Sequence, residues 1–129
     1  ADLIRSLFFH GIRPRIDFIS VSSYGSGVES SGRLEIEQRY LKGLQGKNVV
    51  VLDDILDTGL TISGIVALVM NEKPLDISVC VLLDKPSRRK HPVQADFKGF
   101  TIDDLFVVGY GLDYDDDYRY LPYIAELSI

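Results

Sequence analysis

Three carboxylates, Asp53, Asp54 and Asp57, stand within five residues of one another and run directly into Thr58, Gly59, Leu60 and Thr61. The second half of this stretch suits an anion. Gly59 lets the backbone come close to a phosphate, and the hydroxyls of Thr58 and Thr61 add to the unpaired amides that open a helix. The stretch is not a P-loop, because it lacks the Gly-x-x-x-x-Gly-Lys run. A phosphate alone does not call for acids beside it. Carboxylates become useful when the ligand also offers sugar hydroxyls, brings a Mg²⁺ or has a proton to be moved.

Such a constellation needs a scaffold that delivers it to one place. Val49, Val50, Val51 and Leu52 read as a strand buried on both faces, as in a parallel sheet. After the acidic stretch, which reads as a loop, Ile62, Ile65, Val66 and Val69 recur at helical spacing, Pro74 ends the helix, and Ile77 to Leu83 forms a second strand. The segment from Val49 to Leu83 is therefore a βαβ unit, and ligands of parallel sheets bind beyond the carboxyl ends of the strands. Upstream, Leu3, Ile4, Leu7 and Phe8 predict a helix closed by Gly11 and Pro14, and Ile16 to Val21 predicts a strand. Ser22 to Gly32 is dominated by Ser and Gly and reads as a mobile loop. Leu34 to Tyr40 fits neither a helix nor a strand cleanly. The Asp84 to Gln94 stretch is polar, and the cations Arg88, Arg89, Lys90 and His91 within it read as an exposed loop.

The chain has 129 residues, 46% apolar and 26% charged, which suits one domain with a sizeable core. A net charge of -5 argues against duplex nucleic acid as a partner. Ile65 to Met70, the longest apolar run, is far shorter than the ~20 residues of a membrane span. One cysteine, Cys80, allows no internal disulfide, and no secretory signal opens the sequence, so the cytoplasm is the expected compartment. Ala1 lies within an apolar periodic pattern without an initiator Met, as in a chain with residues missing upstream. Neither His10 nor Cys80 reads as a site, and Asp115, Asp116 and Asp117 read as a solvated turn.

The run Val49-Val50-Val51-Leu52-Asp53-Asp54-Ile55-Leu56-Asp57-Thr58-Gly59-Leu60-Thr61 resembles the phosphoribosyl pyrophosphate signature of type I phosphoribosyltransferases. Ser23-Tyr24, Leu82-Leu83-Asp84-Lys85-Pro86 and Phe106 to Tyr114, with Arg119 beyond, narrow the resemblance to the hypoxanthine-guanine phosphoribosyltransferases. It extends from Ala1 to about Leu127. Two departures stand out: Asp53 occupies a place where the family usually has Glu, and the family's upstream strand and Lys-Gly pyrophosphate loop are not in the sequence.

The resemblance implies an α/β fold, a parallel sheet flanked by helices with a small hood over the base. The implied reaction moves the phosphoribosyl group of phosphoribosyl pyrophosphate to hypoxanthine or guanine. A xanthine or other phosphoribosyltransferase, and a non-catalytic phosphoribosyl pyrophosphate sensor, are the alternatives. By the same resemblance Asp57 is the general base, Asp53 and Asp54 hold the ribose hydroxyls and Mg²⁺, and Thr58, Gly59, Leu60 and Thr61 hold the 5-phosphate. Lys85, whose ammonium emerges at a strand's carboxyl end, donates to the purine O6. Phe106 stacks on the purine, Val107 offers main-chain groups to it, Asp113 binds Mg²⁺, and Arg119 clamps pyrophosphate. Ser23 and Tyr24 belong to a lid that closes over the substrates. A homodimer or homotetramer is the implied assembly.

Overall fold

The computed structural model describes residues 1–23, 34–36 and 43–128. Its centre is a three-stranded parallel sheet in the order β3 (Asn48–Leu56), β4 (Asp76–Asp84), β5 (Phe97–Thr101). The helix α2 (Leu60–Asn71) joins β3 to β4, so the expected βαβ unit is present. Ile62, Ile65 and Val69 of α2 are buried against Val51, Leu56, Val79 and Val81, with Val93 and Ala95 closing the lower end. Val51, Val79 and Val81 share one face of the sheet because residues two apart along a strand point the same way and Val51 pairs with Val79. Fully burying each contributes about 1.5–3 kcal/mol, which makes this helix–sheet layer the main source of stability.

Two expectations are corrected here. The acidic stretch is not all loop: β3 runs through Asp53 and Asp54 to Leu56, so both carboxylates sit on a strand. Nor is β3 buried on both faces. Val51 is buried, whereas Val50 and Leu52 are more than half exposed on the face opposite α2, and no strand pairs with the other side of β3 among the described residues. Cys80 lies on that half-exposed face too, between buried Val79 and Val81.

The amino-terminal helix α1 (Asp2–Phe9) forms as its spacing predicts, and Gly11, at φ +76°, turns the chain so that its N–H donates to the Phe8 carbonyl at 3.0 Å. The expected strand from Ile16 is confined to β1 (Val21–Ser23), which pairs antiparallel with β2 (Leu34–Ile36). Ser22 and Ser23 are thus strand residues, while Tyr24 and the rest of the expected mobile loop to Gly32 lie outside the described residues. A second antiparallel pair, β6 (Val107–Val108) with β7 (Ala125–Glu126), follows β5. Among the described residues no helix is long and apolar enough to cross a membrane.

Candidate active site

Register brings the site together. Leu56 of β3 pairs with Asp84 of β4, and Asp84 with Thr101 of β5, so three strands end side by side. Asp57 and Lys85 therefore leave adjacent strands at the same level, and the Lys85 N–H donates to the Leu56 carbonyl at 3.0 Å. Asp57, Thr58 and Gly59 then bridge from β3 to the first residue of α2. Gly59 adopts φ +86°, the left-handed conformation in which a side chain is strained, immediately before the helix begins. A Cβ there would lie 2.7 Å from Val93 Cγ1 and 3.3 Å from the His91 carbonyl oxygen, so the glycine is demanded by space as well as by torsion.

The acids have different surroundings. Asp53 is half-buried, its Oδ1 accepting the Asp54 N–H at 3.0 Å. Burial, and secondarily the neighbouring Asp54 charge, push the Asp53 carboxyl up to about 6. Neither Asp53 nor Asp54 is in an ion pair with a described cation. Asp57 is more open and accepts from Arg88 Nε at 3.1 Å. That bond holds the Arg88 guanidinium above its ordinary value.

The Asp53 shift has a consequence for stability. A carboxyl whose folded value exceeds its unfolded one makes the native state bind the proton more tightly, so stability falls as pH rises from about 4 to about 6. Asp53→Asn removes that loss. In the free protein it should raise the unfolding free energy at pH 7.5 by about 1–2 kcal/mol after discounting for solvent screening, and leave it unchanged near pH 4. Chemical denaturation at the two pH values measures the difference, and an equal effect at both would show that the carboxyl is not strained.

Lys85 is not a solvated lysine. It is buried, 7% exposed, and its ammonium donates to the Leu105 carbonyl, next to Phe106. Phe106 stands edge-on to Tyr114, with ring centroids 5.4 Å apart, and remains 43% exposed, so part of the ring is open to a ligand. The Phe106 carbonyl accepts the Leu127 N–H at 2.8 Å. Positions along an antiparallel pair alternate, so Val107, opposite Glu126, falls at the non-hydrogen-bonded position, and its own N–H and C=O point away from β7. Lys85, Phe106 and the Val107 main chain are thereby brought to one corner.

Asp113 and Arg119 meet each other: Arg119 Nη2 lies 3.0 Å from Asp113 Oδ1, and its Nη1 donates to the Gly111 carbonyl at 3.1 Å. No group of three metal-binding side chains forms among the described residues, so Asp113 does not join Asp53 and Asp54 in one cage. Asp116 is 95% exposed by its side chain, in keeping with a solvated turn. Of the loop cations, Arg88 and Lys90 are exposed as expected, but Arg89 is not. Arg89 is only 17% exposed by its side chain, pairs with buried Asp84, and donates from Nη1 to the Asp57 carbonyl at 2.9 Å. No periodicity or motif marks Arg89, because its partners are as much as 32 residues away in the chain.

Comparison with known proteins agrees with this geometry. A phosphoribosyl transferase domain model matches residues 1–115. The chain is 45% identical over 128 residues to the hypoxanthine-guanine phosphoribosyltransferase of Bacillus subtilis, spanning 99% of this chain and 69% of that protein. The crystal structure of a hypoxanthine phosphoribosyltransferase from Staphylococcus aureus superimposes with a TM-score of 0.88 at 42% identity, covering 98% of this chain and 67% of that one. A Trypanosoma cruzi hypoxanthine phosphoribosyltransferase solved with the product IMP gives a TM-score of 0.88 at 38% identity, covering 98% of this chain and 66% of that one. A glycine-bearing loop between strand and helix, a buried lysine beside it and these relatives together place the chain in the phosphoribosyltransferase family, among the hypoxanthine-guanine phosphoribosyltransferases of purine salvage.

Proposed function

We propose that the chain transfers a phosphoribosyl group from phosphoribosyl pyrophosphate to N9 of hypoxanthine or guanine. The observation that carries this reading is the shared strand-end level of β3 and β4, which sets the Asp57–Leu60 loop beside buried Lys85. In the reaction the bond from the ribose anomeric carbon to pyrophosphate breaks as the bond to N9 forms. Pyrophosphate leaves with the electron pair, and the proton released by the purine passes to Asp57.

Each group has a task in this reading. The amides around Thr58, Gly59 and Leu60, with the Thr58 and Thr61 hydroxyls, hold the 5-phosphate at the start of α2, where the helix leaves N–H groups free. Phe106 stacks on the base, and Val107 meets its edge. Arg119 holds the leaving pyrophosphate, giving up its bond to Asp113. Ser23 and Tyr24 take part in closing the site, which keeps water from the reactive sugar.

The residues present suit a magnesium ion. Asp53 is a half-buried carboxyl beside a second acid with no described cation against it, and Mg²⁺ is commonly held by one or two carboxylates together with substrate phosphates. Asp53 and Asp54 would hold it, whereas Asp113, paired with Arg119, stands apart from them. When bound, the metal neutralises charge on the leaving group.

Base selection tests the reading. Lys85 has only donors to offer, so a purine with an acceptor at the 6-position is favoured, and adenine leaves two donors facing each other. Unpaired buried donors cost about 1–3 kcal/mol each, so kcat/KM for adenine should be lower than for hypoxanthine by roughly 100-fold or more. Equal rates with the two bases would overturn the assignment of Lys85. Binding of phosphoribosyl pyrophosphate without any transfer would favour a sensor instead.

A further inference from the structure

We propose that Arg89 is a positioning residue for the 5-phosphate loop, turning its peptide groups so that their N–H bonds face the phosphate. The inference rests on the phosphate-binding role just proposed for Thr58 and Gly59.

Two consecutive carbonyls of the loop are held from the Arg89–His91 segment. Arg89 Nη1 donates to the Asp57 carbonyl at 2.9 Å. The next carbonyl, that of Thr58, accepts two amides, Lys90 N–H at 2.9 Å and His91 N–H at 3.0 Å. A peptide group is planar and trans, so its N–H points opposite to its C=O. Pulling the Asp57 carbonyl outward aims the Thr58 N–H inward, and pulling the Thr58 carbonyl outward aims the Gly59 N–H inward. Neither of these amides donates to a described group. Two adjacent N–H groups aimed the same way form an anion-binding concavity, and α2 begins at the next residue.

Arg89 is braced for this task. Its Nη2 pairs with Asp84, a carboxylate 8% exposed by its side chain at the carboxyl end of β4, and Lys98 Nζ lies 3.3 Å from the other Asp84 oxygen. The guanidinium fork thus ties a rigid strand to a loop carbonyl, which a single ammonium cannot do while reaching both. The Arg89 stem packs over Gly59 as well, its Cδ 3.2 Å from where a Cβ would be. Lys98 leaves Asp84 a cation when Arg89 is replaced, so a conservative variant should retain the fold.

The test compares inosine monophosphate with inosine, which differ by the phosphate alone. In wild type, calorimetry should show the nucleotide binding far more tightly than the nucleoside. Arg89→Lys, checked for an unchanged fold by circular dichroism and thermal unfolding, should bind inosine monophosphate about tenfold or more weakly and inosine as before. Arg89→Ala should lose at least as much, and millimolar guanidinium should restore part of it, a response that a general loosening of the fold would not give. Arg89→Lys with wild-type nucleotide affinity, or with equal losses for nucleotide and nucleoside, would overturn the proposal. Failure of the underlying reading looks different: wild type itself would then bind inosine monophosphate no better than inosine.

Discussion

Asp57→Asn should lower the rate of phosphoribosyl transfer by about 10²–10⁴-fold, the usual contribution of a positioned general base. Affinity for phosphoribosyl pyrophosphate should stay within about threefold of wild type, since an uncharged hydrogen-bonding partner of the same size leaves the backbone in place. The separation follows from the geometry. The Asp57 carbonyl is held by Arg89 in the loop before α2, whereas its carboxylate meets, among the described residues, Arg88 alone, across an ion pair open to solvent. Exposed pairs of that kind contribute little, so the carboxylate can leave Arg88 for the purine at small cost. Single-turnover rates with saturating phosphoribosyl pyrophosphate, beside equilibrium titration of that ligand, measure the two quantities. Parallel losses in both would assign Asp57 to ground-state binding and remove it as the proton acceptor.

The second large effect lies away from the reacting atoms. Gly109 sits at φ +91°, and a Cβ there would come within 2.2 Å of the Tyr123 carbonyl oxygen and 3.0 Å of Leu121 Cβ. Both obstacles belong to the segment that leads into β7, and the carbonyl is backbone, so that segment must move away from the end of β6 to admit a methyl group. Gly109→Ala should lower the unfolding free energy by about 3 kcal/mol or more, combining overpacking with a left-handed conformation that costs about 1–2 kcal/mol. Because β6 carries Val107 and follows Phe106, purine affinity should fall as well, in whatever fraction remains folded. Gly111→Ala is the control: its φ is +99°, but nothing lies within 4 Å of the added carbon, so only the conformational cost applies. Urea denaturation of both variants separates the two contributions, and equal destabilisation would show that the contact with Tyr123 relaxes freely.

The βαβ unit was legible because its parts are locally consistent: β-branched runs at Val49 and Ile77 flank a helix whose apolar residues keep helical spacing. The exposure of Val50 and Leu52 was not, since an unbroken apolar run looks the same whether one or both faces are covered. Asp53 and Asp54 were recognisable as a chemical pair but misplaced in a loop, because strand pairing with Val81 and its neighbours overrides the low strand preference of Asp. Lys85 and Phe106 became interpretable only through the family pattern, as their meeting depends on a register formed by residues far apart in sequence. Arg89 looks like part of an exposed loop because its contact with the Asp57 carbonyl spans 32 residues and no motif marks Asp84, five residues before it, as its partner.

The unpaired side of β3 carries a further implication, for handling the protein. The edge of Asn48–Leu56 away from β4 leaves a row of main-chain donors and acceptors without a strand partner among the described residues, and Val50 and Leu52 within it are more than half exposed. Such a row is a template on which another chain can add a strand, and the modest net charge of -5 opposes that approach only weakly. Association should accordingly grow with protein concentration and with salt. A lysine at position 50, pointing away from α2, would place a charge on the adhesive face without touching the core beneath it.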